Sequence, residues 1–120
     1  MDYMKSRIEL ADMEFFAHHG CFYEERVIGN RFLVNLSVEY DCSKAMESDN
    51  IEDALNYQIL FDIVKEQMMV PSNLLENVAG RIIGEIRCRF DYILSGTLSI
   101  DKLNPPLGGK VGSSRIVVSF

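Results

Sequence analysis

The hydrophobic period changes twice along the chain, and this limits the folds that the sequence can adopt. Between residues 31 and 41 the apolar side chains alternate strictly with polar ones, at Phe32, Val34, Leu36, Val38 and Tyr40. A period of two residues is typical of a strand that buries one face. From Tyr57 to Met68 the apolar residues recur every three or four positions, which is typical of an amphipathic helix.

Similar patterns predict the other elements. A first strand over residues 6 to 18 alternates Ile8 and Leu10 with polar neighbours and continues to Ala17. Residues 19 to 30 hold two glycines and a charged run, and they are predicted to form a loop. A second helix follows Pro71, with Ser72 as its N-cap. Two strands near residues 92 to 102 and 113 to 120 complete the pattern.

The resulting order is β-β-α-α-β-β, which predicts an α+β fold. Both helices would pack on one face of a four-stranded antiparallel sheet. Such a sheet has two open edges, and exposed edges are a liability unless they are paired. Pairing them with other subunits would close a ring, so we expect a homo-oligomer. The length of 120 residues, with no repeat or linker, predicts one domain over residues 1–120.

Composition excludes several classes of function. The net charge is -6 and the pI is about 4.8, whereas a nucleic-acid-binding domain normally carries a basic stripe. No apolar run reaches the length needed to span a membrane, and the first residues lack the pattern of a secretory signal. We therefore expect a cytoplasmic protein without a nucleic-acid or membrane partner. The three cysteines form no CxxC pair, so they are expected to be reduced thiols.

The segment SIDKLNPPLGG places a lysine where an apolar side chain is expected. The row Leu94, Gly96, Leu98 and Ile100 continues on the same face of the predicted strand to Lys102. The lysine could extend its ammonium group into solvent, as strand-end lysines commonly do. Alternatively, it could transfer protons, which requires its pKa to fall through burial or a nearby cation.

Two further residues have both a structural and a functional interpretation. Glu76 lies in the first turn of the second helix, where a carboxylate complements the helix dipole. It could also bind a planar donor edge, such as the amine and ring N–H of a pterin or guanine. Tyr57 could be a core aromatic residue, or its phenol could orient water or donate a proton.

The segment HHGCFYEERVIGN could fold back over a pocket, because glycines flank it. Its acidic residues, Glu24 and Glu25, could equally form a solvated charge run with Arg26. The chain has only two histidines, so a three-histidine zinc site cannot be built within one subunit. Mixed ligation by histidine, Cys21 and glutamate remains open at this point.

Taken together, four segments resemble the dihydroneopterin aldolases of folate biosynthesis. They are HHG followed by EERVIGN, then SDNIEDALNY, NLLENVAGRI and DKLNPP. Their order and spacing, as well as the overall length, agree with that family over nearly the whole chain. The resemblance implies the tunnelling fold, in which subunits join their sheets into a barrel-like ring. It also implies tetrameric rings, commonly stacked as octamers, with active sites between neighbouring subunits.

The implied activity is that of a carbon–carbon lyase. Such an enzyme cleaves 7,8-dihydroneopterin into 6-hydroxymethyl-7,8-dihydropterin and glycolaldehyde. The substrate contains its own electron sink, the C6=N5 imine, so neither a metal nor another cofactor is expected. The closest alternative is a 2'-epimerase acting on dihydroneopterin or its triphosphate. A non-catalytic ring-forming protein that binds planar ligands is a third interpretation.

The resemblance also assigns roles to individual residues. The proton-transferring lysine of the family falls on Lys102, its loop glutamate on Glu25 and its active-site tyrosine on Tyr57. The tyrosine is expected to come from the partner chain. The pair that anchors the pterin falls on Leu75 and Glu76. Leu103 stands where many members have Pro or Glu, but this departure removes none of the chemical groups named above.

Overall fold

The fold was obtained as a computed structural model, which describes residues 4–120. Four strands form one antiparallel sheet in the order β1-β2-β3-β4. They are β1 (Lys5–Ala17), β2 (Asn30–Asp41), β3 (Ser95–Leu103) and β4 (Ser113–Ser119). The helices are α1 (Tyr23–Ile28), α2 (Ser43–Ser48), α3 (Tyr57–Met68) and α4 (Leu75–Arg89), with a 3-10 helix at Ile51–Asp53. The predicted α+β sheet with helices is therefore confirmed.

The prediction that residues 19 to 30 are a loop throughout is wrong, because α1 lies inside it. This helix ends where the Gly29 N–H donates to the Glu25 carbonyl at 2.9 Å. None of its residues is buried, so it has no apolar stripe that a periodicity analysis could detect. The short helix α2 and the 3-10 helix were not predicted either.

The prediction that Ser72 caps the second long helix is also wrong. Helix α4 begins at Leu75, and Leu74 occupies the cap position without a side-chain hydrogen bond. The Ser72 hydroxyl is used elsewhere: it donates to Asn77 Oδ1 at 2.7 Å and accepts from Arg81 Nη2 at 2.8 Å. The Ser72 hydroxyl therefore binds side chains of α4 instead of capping a backbone N–H at the start of the helix.

A β-bulge in β1 explains an irregular spacing in the sequence. The register with β2 shifts between Leu10 and Met13, and Asp12 has a φ of 56°. The Asp12 N–H donates to Asn35 Oδ1 at 2.7 Å, which fixes the bulge on the neighbouring strand. The extra residue keeps both Leu10 and Met13 on the helix-facing side of the sheet.

The core lies between the sheet and the long helices α3 and α4. Helix α3 buries Leu60, Ile63, Val64 and Met68, and helix α4 buries Val78, Ala79, Ile82, Ile83 and Ile86. The alternative in which Tyr57 is a core aromatic is wrong, because 61% of this residue is exposed. Within residues 4–120, no helix is both long and apolar enough to cross a membrane.

Candidate active site

Lys102 lies near the end of β3 on the face that packs against the helices. Leu98 and Ile100, which precede it on this face, are fully buried. Strand pairing places Lys102 opposite Phe32 of β2 and Ser114 of β4. Only 14% of its side chain is exposed. The alternative in which its ammonium group extends freely into solvent is therefore wrong.

The carboxylate of Glu25 accounts for the position of this lysine. Lys102 Nζ donates to Glu25 Oε1 at 3.0 Å, and 20% of the glutamate side chain is exposed. The hydrogen bond from Lys102 lowers the pKa of the Glu25 carboxyl below its ordinary value, although burial acts in the opposite direction. Glu25 is consequently ionised near neutral pH and pairs with a lysine held at the strand end.

Two glycines allow the loop to bring Glu25 to this position. A Cβ on Gly20 would collide with the Glu25 side chain, including its Oε2 atom. Gly29 has a φ of +79° and a ψ of 177°, a conformation essentially restricted to glycine. A Cβ there would lie 2.7 Å from the Phe16 ring. The loop can therefore close onto Lys102 only with glycine at these two positions.

The ion pair lies in the wall of an open cavity of about 340 Å³. Around it the wall is formed by the remaining lining residues, Glu24, Ile28, Gly29, Asn30, Asn104 and Pro106. A cavity of this size is within the range of small-molecule sites. The cavity therefore presents a carboxylate and an ammonium group to whatever molecule enters it.

The Asn-Pro-Pro segment forms a fixed turn at the end of β3. Asn104 has a φ of 47°, and its N–H donates to the Gly112 carbonyl at 2.8 Å. Asn30 Nδ2 donates to the Leu103 carbonyl at 3.0 Å, which ties the start of β2 to this turn. These contacts restrain the backbone immediately after Lys102.

The start of α4 is attached to the same loop that carries Glu25. The Gly20 N–H donates to the Ser72 carbonyl at 3.0 Å. Cys21 Sγ donates to the Asn73 carbonyl at 3.3 Å, and Arg26 Nη1 donates to Asn73 Oδ1 at 3.2 Å. Residues 71–74, which lead into α4, are therefore held beside the loop.

Leu75, Glu76 and Tyr57 lie outside this cavity. Glu76 is exposed in the first turn of α4, and Leu75 is half-buried. Tyr57 is exposed at the first position of α3. The chain thus brings Lys102 and Glu25 together, but it does not bring the other three residues to the cavity wall.

The residues considered for mixed metal ligation have other partners. His18 Nδ1 lies 2.8 Å from the Arg26 carbonyl, and His19 Nδ1 accepts from the Ser72 N–H at 3.1 Å. The Cys21 thiol donates a hydrogen bond to the Asn73 carbonyl, as described above. Across the described range 4–120, no three His, Cys, Asp or Glu side chains form a group that could hold a metal ion.

The arrangement is suited to moving a proton. A carboxylate and an ammonium group in direct contact can each hold a hydroxyl group or a water molecule of a bound molecule. Asn30 and Asn104 add amide groups to the cavity wall, although neither was predicted from the sequence as a site residue. Their positions next to Gly29 and Pro105 were the available signal, since polar residues in rigid turns often face ligands.

Comparison with known proteins agrees with these features. The family model for dihydroneopterin aldolase matches residues 8–119. The chain is 34% identical to a dihydroneopterin aldolase of Bacillus subtilis over 94% of its own length and 95% of that protein. It is 35% identical to a dihydroneopterin aldolase of Streptococcus pyogenes over 86% of the chain and 87% of that protein.

Solved structures show the same fold at low identity. Dihydroneopterin aldolase of E. coli, crystallised in complex with neopterin, superposes with a TM-score of 0.88 at 16% identity, covering 96% of this chain and 98% of that chain. Dihydroneopterin aldolase of Burkholderia thailandensis, bound to guanine, superposes with a TM-score of 0.78 at 14% identity, covering 97% and 90%. With the family model matching almost the whole chain, this protein belongs to the dihydroneopterin aldolase family.

Proposed function

We propose that this protein cleaves 7,8-dihydroneopterin into 6-hydroxymethyl-7,8-dihydropterin and glycolaldehyde, a step of folate biosynthesis. The observation that carries the proposal is the Lys102–Glu25 ion pair in the cavity wall, at 3.0 Å and mostly shielded from solvent. Membership of the family supports the choice of reaction. The pair supplies a general acid and a general base, which are the groups that this chemistry requires.

Glu76 and the backbone near Leu75 are proposed to bind the pterin ring. A carboxylate can accept hydrogen bonds from both the exocyclic amine and the adjacent ring N–H of a pterin, as it does from a guanidinium group. Two structural neighbours contain neopterin and guanine, whose rings share this donor edge. Their ligands support a planar heterocycle as the substrate class.

The proposed reaction begins at the 2'-hydroxyl of the substrate. Lys102 moves a proton from this hydroxyl to N5: its ammonium group gives a proton to N5 while a water molecule passes the hydroxyl proton back to the amine, and Glu25 holds the side-chain hydroxyls. The C1'–C2' bond breaks and its electron pair forms the C1'=C6 bond as N5 takes up this proton. Glycolaldehyde leaves and an enamine remains. Protonation at C1', assisted by Tyr57 and ordered water, and loss of the N5 proton restore the C6=N5 imine.

The complete site is proposed to form between subunits. Strands β1 and β4 are the sheet edges in the described residues, and their pairing across subunits would make the barrel-like ring. We propose a tetrameric ring, stacked in pairs as an octamer, in which Tyr57 reaches the cavity of the neighbouring subunit. Residues 1–120 would act as one domain, and the cytoplasmic location stays a prediction from the sequence.

Measuring glycolaldehyde release from 7,8-dihydroneopterin tests this function. Lys102→Ala is expected to lower kcat by about 10²- to 10⁴-fold, because it removes the general acid–base group. Pterin affinity should persist in that variant, since Glu76 is intact. Lys110→Ala is the matched control, because Lys110 is an exposed lysine outside the cavity lining.

Glu76→Ala tests the anchoring role separately. It is expected to weaken pterin binding by at least about tenfold, because it removes a charge-assisted hydrogen-bonded pair. Equal pterin affinity in a calorimetric titration would contradict that role. A wild-type protein that inverts the 2' centre but releases no glycolaldehyde would replace the lyase proposal with an epimerase.

A further inference from the structure

His19 is a buried histidine whose contacts connect three parts of the fold. It is 1% exposed and lies two residues after the end of β1. Its Nδ1 accepts from the Ser72 N–H at 3.1 Å, while the next residue, Gly20, donates its N–H to the Ser72 carbonyl at 3.0 Å. Its ring packs edge-on against Phe32, with a centroid separation of 5.3 Å. Two consecutive loop residues thus satisfy both backbone groups of Ser72.

Two of these contacts lead to the Lys102–Glu25 pair, and the third leads to α4. Phe32 is the cross-strand neighbour of Lys102. Gly20 lies against the Glu25 side chain so closely that a Cβ would not fit between them. Ser72 is fixed to α4 through Arg81, whose guanidinium also donates to the Val70 carbonyl at 2.8 Å. His19 therefore lies between the loop of Glu25, the strand beside Lys102 and the start of α4.

The ring must be neutral to make these contacts. An Nδ1 atom that accepts a hydrogen bond carries no proton, so the proton of the neutral ring is on Nε2. Burial, followed by the positive charge of Arg81, lowers the pKa of His19 from 6.5 to about 4. In the described part of the chain, Nε2 is the only buried side-chain nitrogen or oxygen without a hydrogen-bond partner. The proposed reaction uses neither of the ring nitrogens.

We propose that His19 is a positioning residue, whose neutral ring holds the 18–29 loop against Ser72 and Phe32 and thereby sets the position of Glu25 on Lys102. For its kinetic consequences this inference rests on the proposed function. Its geometric content, the contact between Glu25 and Lys102, can be measured without any turnover.

A pair of variants separates the hydrogen bond from the packing. His19→Leu has no acceptor for the Ser72 N–H, whereas His19→Asn places an amide oxygen near the position of Nδ1. We expect His19→Leu to lower kcat by about 10²-fold, the cost of a small misplacement of a reacting group. Pterin affinity should stay at the wild-type level, because buried side chains on α4 hold the helix that carries Glu76. His19→Asn should recover most of kcat.

A titration of Glu25 by NMR gives a readout that needs no substrate. In the wild type and in His19→Asn, the pKa of the Glu25 carboxyl should stay below its ordinary value. In His19→Leu it should rise toward that value, since the carboxylate leaves Lys102. Ile86→Val is the control for general loosening of the core, because Ile86 is fully buried near the other end of α4. It should change neither the Glu25 titration nor kcat.

A measurement on the wild type covers the case in which His19→Leu does not fold. Nitrogen-15 spectra of histidine-labelled protein at pH 7 should show one neutral ring with its proton on Nε2, assigned with the aid of His18→Gln. A proton on Nδ1 would overturn the proposal. So would an unchanged Glu25 titration in His19→Leu, or equal losses in His19→Leu and His19→Asn. A wild type that cleaves no dihydroneopterin would instead reject the proposed function and leave the titration to decide on His19.

Discussion

The Lys102–Glu25 pair differs from the other ion pairs of the described residues in its shielding from solvent. In each of the others at least one side chain is 51% exposed or more, whereas here the values are 14% and 20%. Exposed pairs contribute little to stability, while removal of one partner from a shielded pair leaves a costly unpaired charge. Removing either charge of this pair should therefore destabilise the protein by leaving the other charge shielded and unpaired.

Glu25→Gln tests this expectation. We expect the free energy of unfolding to fall by about 1–2 kcal/mol, because the Lys102 ammonium loses its counter-charge in a mostly dry position. Urea unfolding at pH 7 measures the change. A double-mutant cycle with Lys102→Met should show strong coupling, and simple additivity of the two losses would contradict it.

The same substitution should alter the stability profile in acid. Because the pKa of Glu25 is lower in the folded protein, its stabilising effect is complete above its ordinary value of 4.5 and is lost as the pH falls below it. In Glu25→Gln, the free energy of unfolding should therefore fall less between neutral pH and acid than it does in the wild type.

His19 predicts a pH dependence in a different range. Its pKa is about 4 in the folded protein and 6.5 when unperturbed, so the unfolded chain binds the extra proton between these values. Stability is therefore expected to fall as the pH drops from 6.5 toward 4, by up to about 2 kcal/mol at pH 5. The charged and titratable groups acting on the ring are Arg81, Lys102 and His18. Urea unfolding at pH 7 and pH 5 should show a smaller difference in His19→Asn.

At the scale of elements, the loop containing α1 decides whether the site forms. Gly29 ends this helix at a positive φ and lies against the Phe16 ring. The two constraints are independent, because one concerns the backbone and the other concerns space. Both must be met for Glu25 to reach Lys102.

Gly29→Ala should therefore lower stability and turnover more than a glycine-to-alanine substitution at another position with positive φ. We expect the free energy of unfolding to fall by about 1–3 kcal/mol, because alanine is strained in this backbone conformation. The added methyl group should also displace Phe16 or His18 and thereby reduce turnover. Gly108→Ala is the matched control, because Gly108 has a φ of +81° but no atom lies within 4 Å of the position that its Cβ would take. Thermal unfolding and the lyase assay measure both. Equal effects of the two substitutions would show that the contact with Phe16 is unimportant.

Elements with a buried face were predicted from sequence, and those without one were not. The alternation of β2 reflects burial directly, and the five apolar positions predicted from it are all buried. Helix α1 buries nothing and gives no such signal. Ser72 is a good cap by residue type, but its hydroxyl is taken by Asn77 and Arg81, which only the fold brings near.

At the scale of the whole molecule, several large apolar side chains are exposed beside the cavity. Exposed residues include Phe22, Tyr23, Val27 and Ile28 in and beside α1. Apolar patches of this kind mark contacts with other proteins. Together with the two open sheet edges, they support the proposed ring.

Mixed oligomers test whether the site is shared between subunits. Lys102→Ala and Tyr57→Phe should each lose at least about 10²-fold in turnover as homo-oligomers. If the two groups come from different chains, co-refolded subunits should restore about one quarter of the sites by random assembly. An activity equal to the mean of the two parents would place both residues in one subunit. Light scattering should give a mass well above the 13.7 kDa of one chain.

The sequence by itself determined the order of strands and long helices and the residue types available for catalysis. It did so because hydrophobic period is local, and because the family segments occur in order along the chain. Only the tertiary structure decided that Lys102 meets Glu25 across 77 positions of sequence, and that His19 occupies the buried space behind the loop. These outcomes depend on packing between distant segments, which a local pattern does not encode.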